Sequence, residues 1–298
     1  MILVTGATGS IGNALVARLG GHKVRVLARR PEAAESMLPG VKAFRWEIGS
    51  PVPSEAAEGA DAIIHLAGVP VDEKRLTSAQ IKLVRDSRID GTRAVVDACK
   101  VHKIATLVST SAVSIYVASP DRKLGEDAPL EFDGALPEIC QAWESEALRA
   151  ETFGTRLVRI RVGIVLDAHG GALEKMIPIF RTGLAGRLGS GAQWMAWIHV
   201  QDAAGLFAFA VENEGVKGAV NAAAPTPVTN AEFTRVLARQ LGRPAFLPVP
   251  GFALKLAMGE VGALALKSHR MVPVAALNAG YKFQFPDLQS ALRNLVEA

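Results

Sequence analysis

The sequence predicts an α/β protein, a doubly wound parallel sheet with a smaller C-terminal lobe beside it. Three observations predict it. Short β-rich apolar runs alternate with longer helix-period segments over the first two thirds of the chain. Glycines at 6, 9 and 12 stand between the first strand and the first helix. After Gly163 the alternation gives way to a glycine-rich stretch and then to short segments punctuated by proline.

In chain order, Ile2–Thr5, Val24–Ala28, Val41–Trp46, Ala62–Leu66, Thr106–Ser109 and Arg156–Val162 read as strands. Between them Ile11–Leu19, Ser78–Val101 and Glu138–Phe153 carry apolar residues at helical spacing. The stretch from Gly170-Gly171 to Gly189-Ser190-Gly191 is too irregular for a core element and runs into Trp194, Trp197 and His199. Asp202 is the expected N-cap of a helix over Ala203–Glu212, and Gly218–Ala222 reads as a returning strand. Beyond Pro225, prolines separate short helices and one expected strand, Ala245–Pro248. Two lobes follow: residues 1–165 with 200–222, and 166–199 with 223–298. No repeat is visible.

With 298 residues, 49% apolar and 21% charged, the chain has the balance of a globular protein with a sizeable core. Its charge of +4 is scattered, so nothing points to a nucleic-acid partner. Two cysteines, Cys99 and Cys140, lie outside any zinc-ligand spacing, so no metal is expected and a reducing cytoplasm fits. No apolar run reaches the length of a membrane span, and no secretion leader precedes the first strand.

The segment Thr5-Gly6-Ala7-Thr8-Gly9-Ser10-Ile11-Gly12 carries the most chemistry. Gly6 suits a tight turn, Gly9 removes a Cβ where a pyrophosphate approaches the backbone, and Gly12 lets the helix pack on the strand. The N–H groups opening that helix favour an anion. This is the dinucleotide loop of a Rossmann fold, against the alternative of a purely structural turn. At the end of the second strand an NAD site usually carries an acid for the ribose 2′-hydroxyl. Arg29 and Arg30 stand there instead, which favours the 2′-phosphate of NADP(H) unless they are solvated surface side chains.

These residues resemble the extended short-chain dehydrogenase/reductase superfamily. The glycine loop is similar to its TGxxGxxG motif, Asp61–Gly68 to its fourth strand, and Ser109-Thr110-Ser111-Ala112 to its fifth. Further segments resemble the epimerase family of NAD-dependent epimerase/dehydratase-like proteins: Asp86-Ser87-Arg88, Trp143-Glu144, Arg161–Leu166, Gly189-Ser190-Gly191, Trp197–Val200 and the stretch 247–295. The resemblance implies that Thr8, Ser10 and Ile11 join the three glycines at the cofactor. It also implies that Leu66, Ala67 and Gly68 pass its nicotinamide ribose, with Arg88, Ser109 and Gly163 nearby.

Most active relatives carry a Tyr-xxx-Lys pair whose Lys lowers the phenol pKa for proton exchange during hydride transfer. With Glu144 as register, Leu136 stands in place of the Tyr and Cys140 in place of the Lys. No lysine occurs between Lys123 and Lys175, and neither Tyr116 nor Tyr281 has a Lys four residues on. Candidates for the missing chemistry are Ser111 as a hydroxyl polarising a substrate oxygen, Tyr116 as a substitute phenol, and His199 as a proton source. The alternatives are a packed Tyr116, a hydrogen-bonding structural His199 and a buried, inert Cys140. Three readings stay open: an NADP-dependent oxidoreductase or epimerase acting on a small substrate, an NADP(H)-sensing binding protein, and a Rossmann loop without a ligand.

Overall fold

The computed structural model describes residues 1–71 and 76–297. In chain order the strands are β1 (Ile2–Thr5), β2 (Val24–Ala28), β3 (Lys42–Arg45), β4 (Ala62–His65), β5 (Thr106–Ala112), β6 (Ser119–Leu124), β7 (Arg156–Val162), β8 (Ile164–Asp167), β9 (Trp194–Met195), β10 (Trp197–His199), β11 (Gly218–Ala222), β12 (Val228–Thr229) and β13 (His269–Met271). The helices are α1 (Ser10–Leu19), α2 (Pro31–Met37), α3 (Ser54–Ala57), α4 (Ser78–His102), α5 (Ala135–Leu148), α6 (Gly171–Arg181), α7 (Val200–Glu212), α8 (Asn230–Gln240), α9 (Gly251–Met258), α10 (Glu260–Leu264), α11 (Val274–Asn278) and α12 (Leu288–Glu297).

Seven strands form one sheet in the order β3-β2-β1-β4-β5-β7-β11, every neighbouring pair parallel. The chain winds outward from β1 to β3, crosses back to β4 and winds outward again. The crevice between β1 and β4, at the carboxyl ends of the strands, is the switch point where such sheets bind ligands.

Alternation along each strand divides the core in two. Val4, Val26, Ile64, Val108 and Val158 face one layer, shared with α1, α6, α7, α8 and α12. Their neighbours Leu3, Leu27, Ile63, Leu107 and Leu157 face the other, shared with α3 and α4. Both faces are covered, so β1 and β4 read as unbroken apolar runs. Among the described residues no helix is long and apolar enough to cross a membrane.

Four readings of the sequence are corrected. The stretch after Gly170 holds a core helix: Leu173, Ile177 and Phe180 of α6, at helical spacing, are buried in the first layer. Glycines at both ends mask it. The N-cap of α7 is His199, whose Nδ1 accepts from the Gln201 N–H at 3.0 Å. Asp202 lies inside the first turn, and its carboxylate accepts from the backbone N–H groups of Gln284 and Phe285, both at 2.8 Å. Ala245–Pro248 forms no regular strand; Leu247 and Val249 instead bond singly to the Ala185 and Arg187 carbonyls. Helix α5 begins at Ala135 and gives way to a 3₁₀ turn over Arg149–Phe153.

Candidate functional site

The glycine loop is built as its spacing implies. Gly6 has φ +68°, and a Cβ there would lie 2.8 Å from the Ala67 nitrogen. A Cβ on Gly12 would run into the Gly6 carbonyl oxygen and lie 2.6 Å from Ala7 Cα. Gly9 is different: its Cβ would meet nothing nearer than 3.5 Å, so the absent side chain leaves open space. Gly9 also caps α1 without a side-chain bond, and no acidic residue occupies the first turn. The N–H groups of Ser10, Ile11 and Gly12 therefore open onto the crevice with the positive end of the helix dipole. Thr8 lies exposed in the loop. The cradle fits a pyrophosphate.

Thr5 ties this loop to the end of β4. Its Oγ1 accepts from the N–H groups of Leu66 and Ala67, both at 3.1 Å, and lies 2.8 Å from His65 Nδ1. With both lone pairs used, the hydroxyl proton goes to Nδ1, so His65 is neutral with its proton on Nε2. Burial first, and then the nearby Arg88 charge, push its pKa down to about 4. Ser87 and Arg88 hold the next residues. Ser87 Oγ accepts from the Val69 N–H at 3.1 Å, and Arg88 Nη1 donates to the Val69 carbonyl at 2.8 Å. Arg88 lies against Gly68 and over the Trp143 ring at 5.0 Å. Leu66, Ala67, Gly68 and Arg88 thus form one rigid edge of the crevice.

Arg29 and Arg30 sit at the carboxyl end of β2, exposed, without an ion pair among the described residues. Ser109 is buried, with only a 3.5 Å contact to the Thr110 carbonyl. At Gly163 a Cβ would run into the Ala196 carbonyl oxygen, so its absence serves the packing of β8 on β10.

Beyond the crevice lies a polar network that sequence reasoning missed. Register pairs Ser109 with Arg159 and Ser111 with Arg161, all on the sheet face under α5. Glu144 of α5 accepts from Ser111 Oγ at 2.7 Å, Arg159 Nη1 at 2.7 Å, and Arg161 Nε and Nη2 at 2.8 and 3.0 Å. Burial alone raises the Glu144 pKa, but the bonds from Arg161 and Ser111 and the Arg159 charge hold it below the ordinary carboxylate value. Burial likewise works against the Arg161 charge and is outweighed by Glu144. Arg159 and Arg161, at alternate positions of a strand that is otherwise apolar after Arg156, were the available signal.

The same network absorbs Tyr116. Its hydroxyl donates to Asn221 Oδ1 at 2.7 Å and accepts from Arg161 Nη1 at 2.8 Å, and burial pushes its pKa up to about 12. Neither its proton nor its site of attack is free. His199 is also committed: Nδ1 caps α7, Nε2 lies 3.1 Å from Asn294 Oδ1, and the ring stacks on Phe285 at 3.8 Å. These contacts commit Tyr116 and His199 to bonds within the fold, as in the structural alternative that the sequence left open for each. Cys140 is buried and pushed up to about 12.

Two buried histidines give a pH prediction. His65 and His269 are both lowered to about 4, in each case first by burial. Their folded values lie below the ordinary 6.5. Their stabilisation is complete above about pH 6.5, declines as the unfolded chain takes up protons, and levels off below about pH 4. Each contributes on the order of 3 kcal/mol over that window. Urea unfolding at constant m should show the midpoint falling between pH 7 and 4.5. A flat profile contradicts the neutral, buried assignment.

Residues 2–223 match the NAD dependent epimerase/dehydratase family, and residues 249–295 match a domain of unknown function, DUF1731. The chain belongs to the NAD dependent epimerase/dehydratase family. It is 38% identical over 99% of its length to a chloroplastic SDR39U1 homolog of Arabidopsis thaliana, covering 86% of that protein. It is 36% identical to the epimerase family protein YfhF of Bacillus subtilis over 99% of this chain and 97% of that one. Human epimerase family protein SDR39U1, crystallised with NADPH, superposes with a TM-score of 0.89 at 33% identity and 99% coverage of both chains. Leu136, Cys140 and Glu144 all lie on α5, four residues apart along the helix.

Proposed function

We propose that this protein binds NADP(H) in the crevice between β1 and β4 and uses it for hydride transfer to or from a small carbonyl or carbinol substrate. The observation that carries the reading is the uncapped α1 N-terminus over Gly6, Gly9 and Gly12, with unpaired Arg29 and Arg30 at the neighbouring strand end. The NADPH in the human relative supports it. In this reading the N–H groups of Ser10, Ile11 and Gly12 hold the pyrophosphate, with Thr8 beside them. Arg29 and Arg30 hold the 2′-phosphate. Leu66, Ala67 and Gly68 seat the nicotinamide ribose, Arg88 sets a fixed positive charge beside Gly68, and Ser109 and Gly163 complete the surround. When bound, NADPH supplies the hydride.

Among the described residues, the groups around Ser111 offer no acid tuned to neutrality. Glu144 is held ionised, Tyr116 and Cys140 are shifted to about 12, and Ser111 donates its proton to Glu144. Hydride transfer needs geometry more than a tuned acid, and water can deliver the proton. The rate of NADPH-dependent carbonyl reduction is therefore expected to stay flat between about pH 6 and 8, and Tyr116→Phe to leave it within about twofold. A bell-shaped profile centred there, or loss of turnover in Tyr116→Phe, contradicts this.

The same lack of a proton donor favours a second reading, an NADP(H)-sensing protein without turnover. A chain that binds NADPH yet reduces nothing in a broad carbonyl panel would select it.

A further inference from the structure

Outside the crevice, the C-terminal lobe contains a cavity of about 460 Å³ whose lining includes Arg187, Arg235, Arg239, Arg243, Thr234 and Phe246, and no carboxylate. It shares no residue with the cofactor crevice.

The fold brings these four guanidinium groups together. Helix α8 turns Phe233 and Leu237 into the core, which sets Arg235 and Arg239, four residues apart, on its exposed face. Gly242, at φ +61°, reverses the chain so that the Arg243 N–H bonds the Ala238 carbonyl at 3.0 Å, returning Arg243 over the last turn. From the facing segment comes Arg187. Its stem packs against the Gly191 backbone, and its Nη1 donates to the Ser190 carbonyl at 2.7 Å.

Four like charges around one cavity repel one another. Among the described residues none of the four makes an ion pair. The α8 C-terminal dipole favours Arg239 and Arg243, but it does not reach Arg235 or account for Arg187. Phe246 stands 67% exposed at the rim, an unusual position for an aromatic ring beside a charged cavity.

We propose that this cavity is a second anion site, taking a compact diphosphate-bearing ligand. The planar, five-donor guanidinium fork matches phosphate oxygens in pairs, and four of them suit two linked phosphates. The volume suits a nucleotide-sized molecule, and Phe246 offers a flat face to any base attached to the diphosphate.

The test is calorimetric titration of the full chain at about 0.15 M ionic strength with inorganic pyrophosphate and, separately, ADP, each with and without saturating NADPH. Saturable 1:1 pyrophosphate binding is expected, undiminished by NADPH. It should weaken by about tenfold or more in Arg235→Ala/Arg239→Ala, as loss of charge-assisted bonds to phosphate requires. That variant should melt at the wild-type temperature or above it, because repulsion is relieved; a merely structural pair of arginines would lower it. Tighter binding of ADP than of pyrophosphate, lost in Phe246→Ala, identifies a nucleotide; equal binding identifies a free polyphosphate. No saturable binding, binding that survives the double substitution, or binding displaced by NADPH overturns the proposal. A chain that fails to bind NADPH leaves the pyrophosphate titration readable.

Discussion

Glu144→Ala is expected to lower the unfolding free energy by about 3–5 kcal/mol and the melting temperature by on the order of 10 °C. The side chain is buried, and it accepts four hydrogen bonds from Ser111, Arg159 and Arg161. Its removal leaves Arg161 charged and desolvated, still in contact with Tyr116. The paired site makes little net contribution over an apolar core of the same shape; the broken one is costly. A cycle of Glu144→Ala, Arg161→Ala and the double variant isolates the coupling, expected to be large because the Arg161 fork binds both carboxylate oxygens. The pH sign follows from a folded pKa below the unfolded one. The contribution is complete above the ordinary carboxylate value of 4.5 and is lost as pH falls through the lowered folded value. A Glu144→Ala chain that melts within 2 °C or so of wild type would remove the network from the account.

Gly12→Ala is expected to cut NADPH affinity by about 100-fold, as losing two hydrogen bonds to a charged group at about 1.5 kcal/mol each implies. Alanine is the better helix former, so helix propensity alone predicts stabilisation. Sterics oppose it: the new Cβ would meet the Gly6 carbonyl and Ala7 Cα, and neither can retreat without displacing the loop. Moving α1 away from β1 carries the Ser10, Ile11 and Gly12 N–H groups off the position that receives the pyrophosphate. Overpacking adds a stability loss of about 1–3 kcal/mol. Gly9→Ala tests the opposite face of the same argument. Its Cβ meets no protein atom closer than 3.5 Å, so fold stability should hold while affinity falls. Calorimetric titration alongside thermal unfolding separates the two effects.

What sequence made legible follows the range of the interactions. The glycine loop is mostly local: strand, turn and helix are contiguous, and Gly12 answers to Gly6 and Ala7, although Gly6 answers to Leu66 and Ala67, brought alongside by the pairing of β1 with β4. The central strands were legible because burial on both faces makes them continuously apolar. Helix α6 was hidden because the glycines around it dominate the composition, although Leu173, Ile177 and Phe180 keep helical spacing.

What the polar candidates are bonded to was not legible for a different reason. Ser111, Tyr116 and His199 are polar residues at plausible positions, but their partners, Glu144, Asn221 and Asn294, are 33, 105 and 95 residues away. Whether a polar atom is free or committed is a tertiary fact. Proximity in sequence cannot show it.

The central claim is that the crevice over Gly6–Gly12 takes NADP(H), with Arg29 and Arg30 reading the 2′-phosphate. Side-by-side calorimetric titration of the protein with NADPH and NADH tests it most directly. NADPH should bind at least about tenfold more tightly, and Arg29→Ala/Arg30→Ala should erase most of that difference while leaving NADH affinity unchanged. Equal affinities, a preference for NADH, or a preference that persists without both arginines would contradict it.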